Sequence, residues 1–468
     1  MGKQNKEIAT AQDMVYGLKF DTQPLDISVC QSTVHSKYLN IAVLTNNTML
    51  FKKDEDEQDY NVITLYGACK EPRYEEDTSN DYIPRNLVVD LICPISASDI
   101  YLILEKINGK EFTNNELVKV EIDKVLLSDE NLLIYATVVY FNKVVTYQFM
   151  ISLSDLEMNY HIYNTTIVQE YDNEEIVEKV TSVSCSSDLS TISLILGKNY
   201  HIVLRRKDEL DDIGNIESTT FVSSLKNYTR FTNGEDKRTL YSTVNKEGNR
   251  VVISDRDESV RLRNNSNVTN LGTINSLVYD SKKDKWIIED RFFEVNVNIR
   301  NIGEHVDINS NGDRLVTTCV YNPINTETTK EVIYLLNRDV KGRWKRIARG
   351  IIGDDIINIS LLNDSNILLA ETAVKVGEDK TIKKLNCLIR EGDSLANNEL
   401  VDNEGIYRQF LSSDKHEYVG FTKFRSPVWD CVVLAKNVVT DKYHLFTLKP
   451  VIVNKYSQEE LKELEATV

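Results

Sequence analysis

The sequence is organised around residues 305–350, which read HVDINSNGDRLVTTCVYNPINTETTKEVIYLLNRDVKGRWKRIARG. Polar and apolar residues alternate from His305 to Ile308, as they do in a strand with one buried face, and a second strand is predicted over Arg314–Tyr321. The two runs are joined by a turn that contains Asn311-Gly312, the strongest short-range signal for a β-hairpin. The stretch therefore begins with a pair of antiparallel strands.

Two further strands follow within the same stretch. Glu331–Leu336 is ended by the Lys341-Gly342 turn, and Arg343–Arg349 is closed by Gly350. Four consecutive antiparallel strands with tight turns form one sheet, and such a sheet is the repeating unit of a β-propeller. The stretch therefore predicts an all-β fold.

A repeated corner marks the same unit elsewhere in the chain. It consists of a Ser or Asn at the end of one strand, a short polar turn, and an apolar residue that opens the next strand. The corners are Ser32/Tyr38, Ser96/Ile100, Ser128/Leu132, Ser186/Ile192, Asn245/Val251, Asn309/Leu315, Asn363/Ile367 and Ser412/Tyr418. The 32 residues from Ser96 to Ser128 are too few for a blade of about 40–45 residues, so one of these two corners should lie inside a sheet. We predict a single propeller of seven blades, with six and eight as alternatives.

A ring of sheets must be closed, because an open edge strand invites aggregation. Met14–Phe20 alternates as a strand, and Tyr443–Lys449 is the last strand of the chain. We therefore predict that the N-terminal strand pairs with the last blade. The predicted organisation is an N-terminal tail over residues 1–13, a propeller over 14–452 and a C-terminal tail over 453–468, in which a capping-box sequence predicts a short helix.

Residues 412–419, SSDKHEYV, resemble the corners of WD40-like propellers, and this resemblance extends over residues 22–450. The G-H and W-D dipeptides of WD40 repeats are absent, except for a single Trp429-Asp430 that precedes a strand. The resemblance implies a rigid platform for protein partners and does not indicate which partners.

Composition excludes several classes of function. The formal net charge of −17 makes nucleic-acid binding by the whole body unlikely, because phosphate contacts need a basic surface. No apolar run approaches the length of about 20 residues that a membrane-spanning helix needs. Seven scattered cysteines without a C-x-x-C pair indicate reduced core residues and hence a cytoplasmic or intracellular protein, with association with a virion as a further option.

The turn after the first strand is also a candidate cation site. Side-chain oxygens occur at alternate positions on either side of Gly312, the arrangement that wraps a hard cation. The residues that carry them are Asp307, Asn309, Asn311 and Asp313. The turn resembles the calcium-binding hairpins of integrin-type FG-GAP propellers. The twelfth position is Thr318 instead of the glutamate of an EF-hand, and Asn-Gly is also an ordinary hairpin signal. A plain turn is the favoured interpretation, and we predict no metal or other cofactor.

The candidate partner-binding residues are the basic run of the fourth strand and one distant tryptophan. Their shared property is a positive or aromatic side chain that an acidic partner could contact: Arg343, Trp344, Lys345, Arg346, Arg349 and Trp429. No nucleophile elbow, P-loop, dinucleotide-binding motif or zinc motif occurs. We therefore predict a non-enzymatic interaction or assembly scaffold that docks protein partners within a larger complex, including a viral or phage particle. The alternative is a propeller enzyme that acts on a glycan or small ester at the central channel.

Overall fold

A computed structural model of the chain describes residues 5–13, 19–31, 38–50, 57–69, 89–108, 117–128, 131–140, 143–152, 162–171, 179–197, 200–210, 216–228, 240–261, 267–296, 298–322, 329–362, 367–376, 380–398, 416–423 and 431–454. These residues form 32 strands and one helix. The fold is an all-β propeller, as the sequence predicts.

The first half of the chain contains two closing strands, three complete four-stranded sheets and a helix. The elements are β1 (Asn5–Asp13), β2 (Lys19–Phe20), β3 (Asp26–Gln31), β4 (Tyr38–Leu50), β5 (Glu57–Cys69), β6 (Val89–Ser96), α1 (Ala97–Asn108), β7 (Leu117–Leu127), β8 (Asn131–Tyr140), β9 (Lys143–Ser152), β10 (Ile162–Tyr171), β11 (Val180–Cys185), β12 (Thr191–Leu196), β13 (Tyr200–Leu210) and β14 (Ile216–Tyr228).

The second half continues in the same order. Its strands are β15 (Leu240–Val244), β16 (Arg250–Asp255), β17 (Val260–Arg261), β18 (Asn267–Val268), β19 (Thr273–Asp280), β20 (Lys285–Phe292), β21 (Ile299–Arg300), β22 (Val306–Ile308), β23 (Arg314–Tyr321), β24 (Lys330–Arg338), β25 (Trp344–Ile352), β26 (Asp355–Leu361), β27 (Ile367–Val376), β28 (Lys380–Glu391), β29 (Ser394–Asn398), β30 (His416–Lys423), β31 (Cys431–Asn437) and β32 (Lys442–Asn454).

The strands group into four-stranded antiparallel units, which we number as blades. Blade 1 is β3–β6, blade 2 is β7–β10, blade 3 is β11–β14, blade 4 is β15, β16, β19 and β20, blade 5 is β22–β25, blade 6 is β26–β29, and blade 7 is β30, β31, β32 and β1. A single parallel bridge between Arg349 and Ser394 joins blades 5 and 6 at their outer strands. The described strands form seven units, and the blade number of the complete ring stays a prediction.

Both faces of the middle strands are buried, which explains why the units stack side by side. In β8, Leu132 and Ile134 pack against blade 1, whereas Leu133 and Tyr135 pack against blade 3. Successive side chains of a strand point to opposite faces, so an uninterrupted apolar run serves two interfaces at once. Seven apolar clusters lie between neighbouring blades of the described chain, and the one that contains Val432 and Ile41 joins blade 7 to blade 1.

The N-terminal strand closes the ring, as predicted, but it begins earlier in the chain. Asn5–Asp13 forms β1 and pairs antiparallel with β32, from Asn454 to Phe446. Lys19–Phe20 then pairs with His444 and Tyr443. The segment predicted as an N-terminal tail therefore contains the outermost strand of blade 7. Residues 14–18 of the predicted closing strand, and the predicted C-terminal helix, lie outside the described residues.

The hairpin of residues 305–321 forms as predicted. Asn309 stabilises its turn, because its side-chain oxygen accepts hydrogen bonds from the backbone nitrogens of Asp313 and Arg314 at 3.0 and 2.9 Å. Gly312 has a φ of 72°, a conformation that glycine adopts without steric cost. The fourth strand, which was predicted to end at Gly350, continues to Ile352.

The corners at Ser128, Ser186 and Asn245 also lie between the first and second strands of their blades. Two of the predicted corners are wrong. Ser96 ends the last strand of blade 1 and is followed by α1, because Ile100 and Leu104 have helical spacing and are both buried. Tyr418 lies within β30, the first strand of blade 7, instead of opening a second strand.

Candidate functional site

The first strands of the blades surround a central cavity of 480 Å³. Within the described chain, β3, β7, β11, β15, β22, β26 and β30 each contribute to its wall. Hydroxyl groups are frequent there, from Ser28, Ser182, Ser184, Ser186, Ser242 and Ser360. The cavity is therefore polar, and its charged side chains decide what chemistry it can support.

Asp307 and Lys423 form one of two ion pairs in the cavity wall. The Lys423 Nζ lies 2.5 Å from the Asp307 Oδ2, although blade 6 separates the blades that carry them. Asp307 Oδ2 also accepts hydrogen bonds from the Ser360 hydroxyl at 3.0 Å and the Leu361 backbone nitrogen at 2.8 Å. The Thr243 hydroxyl of blade 4 lies 3.2 Å from Asp307 Oδ1. One carboxylate thus connects four blades.

Asp26 and Lys124 form the second pair, between blades 1 and 2. The Lys124 Nζ lies 3.3 Å from Asp26 Oδ1, and the Val125 backbone nitrogen donates to Asp26 Oδ2 at 3.0 Å. Burial raises the pKa of the Asp26 carboxyl, and the nearby Lys124 ammonium opposes part of that rise. Both carboxylates of the cavity wall are therefore engaged in contacts between blades.

A repeated hydrogen bond between neighbouring first strands explains why polar residues occupy these positions. Ser28 accepts from the Leu127 nitrogen at 2.9 Å, and Ser184 accepts from the Val244 nitrogen at 3.0 Å. Asp307 accepts from Leu361 in the same way. In each case the donor is the last residue of the first strand of a blade. The innermost strands have an edge without a partner strand, and these side chains accept hydrogen bonds from some of the backbone N–H groups on that edge.

The alternative interpretation of this turn as a cation loop is not supported, because its side chains are not arranged around a common centre. Asp307 points to the cavity, as described above, whereas the Asp313 carboxylate accepts a hydrogen bond from the Asn309 amide at 2.6 Å within the turn. The Asn309 oxygen already accepts two backbone hydrogen bonds. In the described part of the chain no group of three or more His, Cys, Asp or Glu side chains could hold a metal ion. The turn is a hydrogen-bonded hairpin turn.

The basic run of β25 is divided between the core and the surface. Trp344 is only 4% exposed and packs between blades 4 and 5, so its assignment to a partner-binding surface is corrected. Trp429 lies outside the described residues. The exposed members are Arg343, Lys345, Arg346 and Arg349. A β-bulge at Ile347 interrupts the alternation, because Leu335 pairs with Ala348 while Leu336 pairs with Arg346. It places Arg346 and Arg349 on the side that faces blade 4.

A cluster of ionisable side chains lies between blades 4, 5 and 6, outside the lining of the cavity. Glu331 is the most perturbed member: burial, with the neighbouring Glu304 and Asp355 carboxylates, raises its pKa to about 7. Arg256 forms an ion pair with Glu304, and the Ile356 backbone nitrogen donates to Glu331 Oε2 at 2.5 Å. No sequence motif marks this cluster, because its members come from three blades.

The protonation of Glu331 makes stability depend on pH. Its pKa is about 7 in the folded chain and ordinarily 4.5, so the folded state holds a proton that the unfolded state releases between these values. The free energy of unfolding therefore falls as pH rises from 5 to 8. Because Glu331 is only partly buried, we expect a fall of about 1–2 kcal/mol from this residue. In denaturant titrations at pH 5 and pH 8, the free energy of unfolding of Glu331→Gln should not show this fall.

The matched control is Glu170→Gln, whose carboxylate is 40% exposed and paired with Lys143. It should retain the pH dependence of the unchanged protein. Equal pH dependence in the Glu331 variant and the unchanged protein would contradict the assignment.

A Ser–His pair is present but is fully buried. Ser193 Oγ lies 2.7 Å from His201 Nε2 and 2.7 Å from Ser242 Oγ. Burial lowers the pKa of His201 to about 3, which makes the imidazole a poor base. Ser193 has no exposed surface and cannot reach a substrate. The pair therefore has no nucleophilic role in this structure.

The buried cysteines behave as predicted for core residues. Cys319 and Cys387 are each 1–2% exposed, and burial raises the pKa of both thiols to about 12. Neither is therefore a thiolate nucleophile. Within the residues that the structure describes, no helix is long and apolar enough to cross a membrane.

The chain resembles known proteins in structure but not in sequence. No protein-family model matches the sequence, and no curated protein sequence matches it. Solved structures that resemble it include the Cps50 (Swd1) β-propeller domain of Myceliophteria thermophila, at 8% identity and a TM-score of 0.44, covering 93% of this chain and 99% of that one. Sqt1 of Chaetomium thermophilum, bound to the N-terminus of ribosomal protein L10, has 9% identity, a TM-score of 0.42 and coverages of 93% and 100%. The β-propeller domain of the Trilobed protease from Pyrococcus furiosus has 11% identity, a TM-score of 0.40 and coverages of 98% and 98%.

Proposed function

We propose that this propeller is a non-enzymatic interaction or assembly platform that docks protein partners on the outer side of blades 4 and 5. The observation that carries the proposal is the position of its exposed apolar side chains. Of the thirteen large apolar residues exposed in the described chain, six lie on the outer side of these two blades: Ile287, Ile288, Phe293, Val295, Val340 and Ile351. We call these six residues the rim patch. The six are distributed along the outer strands, with Val340 in the turn before β25 and Ile351 near its end. Exposed apolar side chains in this number are typical of protein-binding surfaces.

The two outer strands that carry the rim patch are held together. The Asp290 carboxylate of β20 accepts a hydrogen bond from the Trp344 nitrogen of β25 at 2.8 Å. Glu289, in a bulge of β20, forms ion pairs with Arg250 and Arg338. The patch is therefore a preformed surface, which lowers the entropy cost of binding a partner.

We also propose that the platform acts within a larger assembly. A viral or phage particle is one assembly of this kind. The net charge of −17 keeps such a subunit soluble before assembly.

Partner capture tests the platform. Tagged full-length protein is recovered from its source cells, and the recovered proteins are quantified by mass spectrometry. The amount of partner protein captured should fall at least about tenfold with the rim variant Ile288→Asp/Ile351→Asp. The reason is that each Asp must be buried against the partner without a counter-charge. The control variant Leu210→Asp/Val439→Asp changes residues that are 60% and 74% exposed, against 64% and 55% in the rim variant. Equal capture by the rim and control variants would sink the proposal.

A propeller enzyme is the second candidate, favoured by the pKa of about 7 at Glu331, since a carboxylic acid that is protonated near neutral pH can act as a general acid. Against it, the Glu331 oxygen is engaged by the Ile356 nitrogen, and the cluster lies beside the cavity instead of in its wall. Hydrolysis of nitrophenyl glycosides or esters that is lost in Glu331→Gln would favour this candidate over the platform.

A further inference from the structure

The central cavity contains two ammonium groups that lie in front of its wall strands. Leu126 of β7 packs in the apolar cluster with blade 3, so Lys124, two residues earlier, leaves the strand on that side. The Lys124 Nζ nevertheless lies 3.3 Å from Asp26 Oδ1 of blade 1. Because the outer edge of β7 is paired with β8, the Lys124 side chain crosses the inner edge, within the cavity. Lys423 likewise passes blade 6 to reach Asp307.

The two carboxylates of the cavity wall are already occupied by donors from the chain. Asp307 accepts hydrogen bonds from Thr243, Ile308, Ser360, Leu361 and Lys423. Asp26 accepts hydrogen bonds from the Lys124 ammonium and from the Ile27 and Val125 backbone nitrogens. A carboxylate has about four acceptor positions, so these two have little capacity left for a ligand.

Hydrogen-bond donors, in contrast, remain in the cavity wall. The Lys124 ammonium carries three N–H groups, and Asp26 is its acidic partner within the described chain. The Ser28 hydroxyl accepts from the Leu127 nitrogen, and its own proton has no acceptor among the residues that the structure describes. Ser182 forms no hydrogen bond in the same part of the chain. These three donors come from blades 2, 1 and 3 and line the same cavity.

We propose that the central cavity binds a ligand with a phosphoryl group, whose oxygens accept hydrogen bonds from Lys124, Ser28 and Ser182. A tetrahedral phosphoryl group presents oxygens in several directions, as donors on three blades require, whereas the oxygens of a carboxylate lie in one plane. Hydrogen bonds from an ammonium to a charged oxygen are stronger than those between neutral groups. The cavity volume of 480 Å³ lies within the range of small-molecule sites.

Other ligand classes fit the cavity less well. A cation would meet two ammonium groups, together with carboxylates that are already engaged. A neutral sugar donates many hydrogen bonds, and the strong side-chain acceptors of the wall are occupied. The net charge of −17 opposes an anion, but at 0.15 M salt the effect of exposed charges more than about 8 Å away is largely screened. The observations therefore favour a phosphoryl ligand.

Isothermal titration calorimetry of the full-length protein tests this inference at constant ionic strength. Inorganic phosphate and glycerol 3-phosphate are the probes, acetate represents carboxylates and glycerol represents neutral polyols. We expect at least one phosphate probe to bind one site per chain with a Kd of about 1 mM or lower. Acetate and glycerol should bind at least about tenfold more weakly. Tighter binding of glycerol 3-phosphate than of inorganic phosphate would identify a phosphate ester as the ligand, and the reverse order would identify the free ion.

Two variants place the bound phosphate in the cavity. Ser182→Ala removes a hydroxyl that has no hydrogen bond in the described chain, so the fold should be unaffected, and the Kd should rise about three- to tenfold. Lys124→Gln removes the charge, and the Kd should rise about tenfold or more. The matched controls are Lys143→Gln, a surface lysine paired with Glu170, and Ser281→Ala, an exposed serine. Both should change the Kd less than about twofold.

The contrary results are equally specific. Absence of binding by both phosphate probes would overturn the inference. Binding that neither Ser182→Ala nor Lys124→Gln weakens would place the phosphate elsewhere on the chain and overturn it as well, and so would acetate that binds as tightly as phosphate. Circular dichroism and thermal unfolding show whether each variant is folded. The inference does not rest on the platform, because the rim patch lies on the outer side of the ring, and partner capture by the rim variant decides the platform separately.

Discussion

Replacement of Asp307 by alanine should lower the free energy of unfolding by about 3–5 kcal/mol, which makes this residue the most sensitive position of the cavity wall. The substitution removes the carboxylate that lies 2.5 Å from the Lys423 ammonium, whose side chain is only 18% exposed. It also removes the acceptor for the Leu361 nitrogen and the Ser360 hydroxyl, and unpaired buried donors are costly. Chemical denaturation of the purified chain measures the effect.

The double variant Asp307→Ala/Lys423→Met separates charge from packing. It should be more stable than Asp307→Ala alone by about 1–2 kcal/mol, because the buried charge is then absent. If both variants lose the same stability, the ion pair contributes nothing and the hydrogen bonds alone account for the loss.

Replacement of Gly272 by alanine should cost a similar amount, about 3–5 kcal/mol. Gly272 has a φ of 78°, and a Cβ atom there would lie 2.2 and 2.4 Å from the backbone oxygen and nitrogen of Ile302. The approach is close because the Ile302 nitrogen donates a hydrogen bond to Leu271 across the junction of blades 4 and 5. Backbone on both sides cannot move aside without breaking this contact. Thermal and denaturant unfolding measure the loss.

Gly392→Ala is the matched control for conformation without the clash. Gly392 has a φ of 64°, but a Cβ atom there would meet no atom within 4 Å. Its replacement should cost only about 1–2 kcal/mol, the strain of a left-handed backbone. Equal losses at both glycines would show that the contact with Ile302 is relieved at no cost.

The hairpins could be predicted from the sequence because their signals are local. In residues 305–350 the turn at Asn311-Gly312 and the alternation around it define β22 and β23 almost to the residue. The helix α1 was missed because Ser96, which ends the preceding strand and directly precedes the helix, also fits a hairpin corner. β1 was missed because Asn5–Asp13 is mostly polar, as an outermost strand can be when its backbone provides the pairing.

The candidate sites could be predicted only in part, because their contacts join distant residues. Asp307 was singled out as a cation ligand, but its partner Lys423 is 116 residues away, and no spacing rule connects them. The basic run of β25 was recognised, whereas its division between core and surface depends on a bulge that neither glycine nor proline marks. Glu331 had no signal, since its pKa depends on burial between blades and on carboxylates from other parts of the chain.

Closure of the ring by β1 has a consequence for biosynthesis. β1 is translated before the residues that it pairs with, 446–454, and the other blades lie between them in the chain. Until β32 is made, the nascent chain therefore carries an unpaired strand and an unfinished blade, and both can capture other chains. Closure of the ring must wait for the translation of β32.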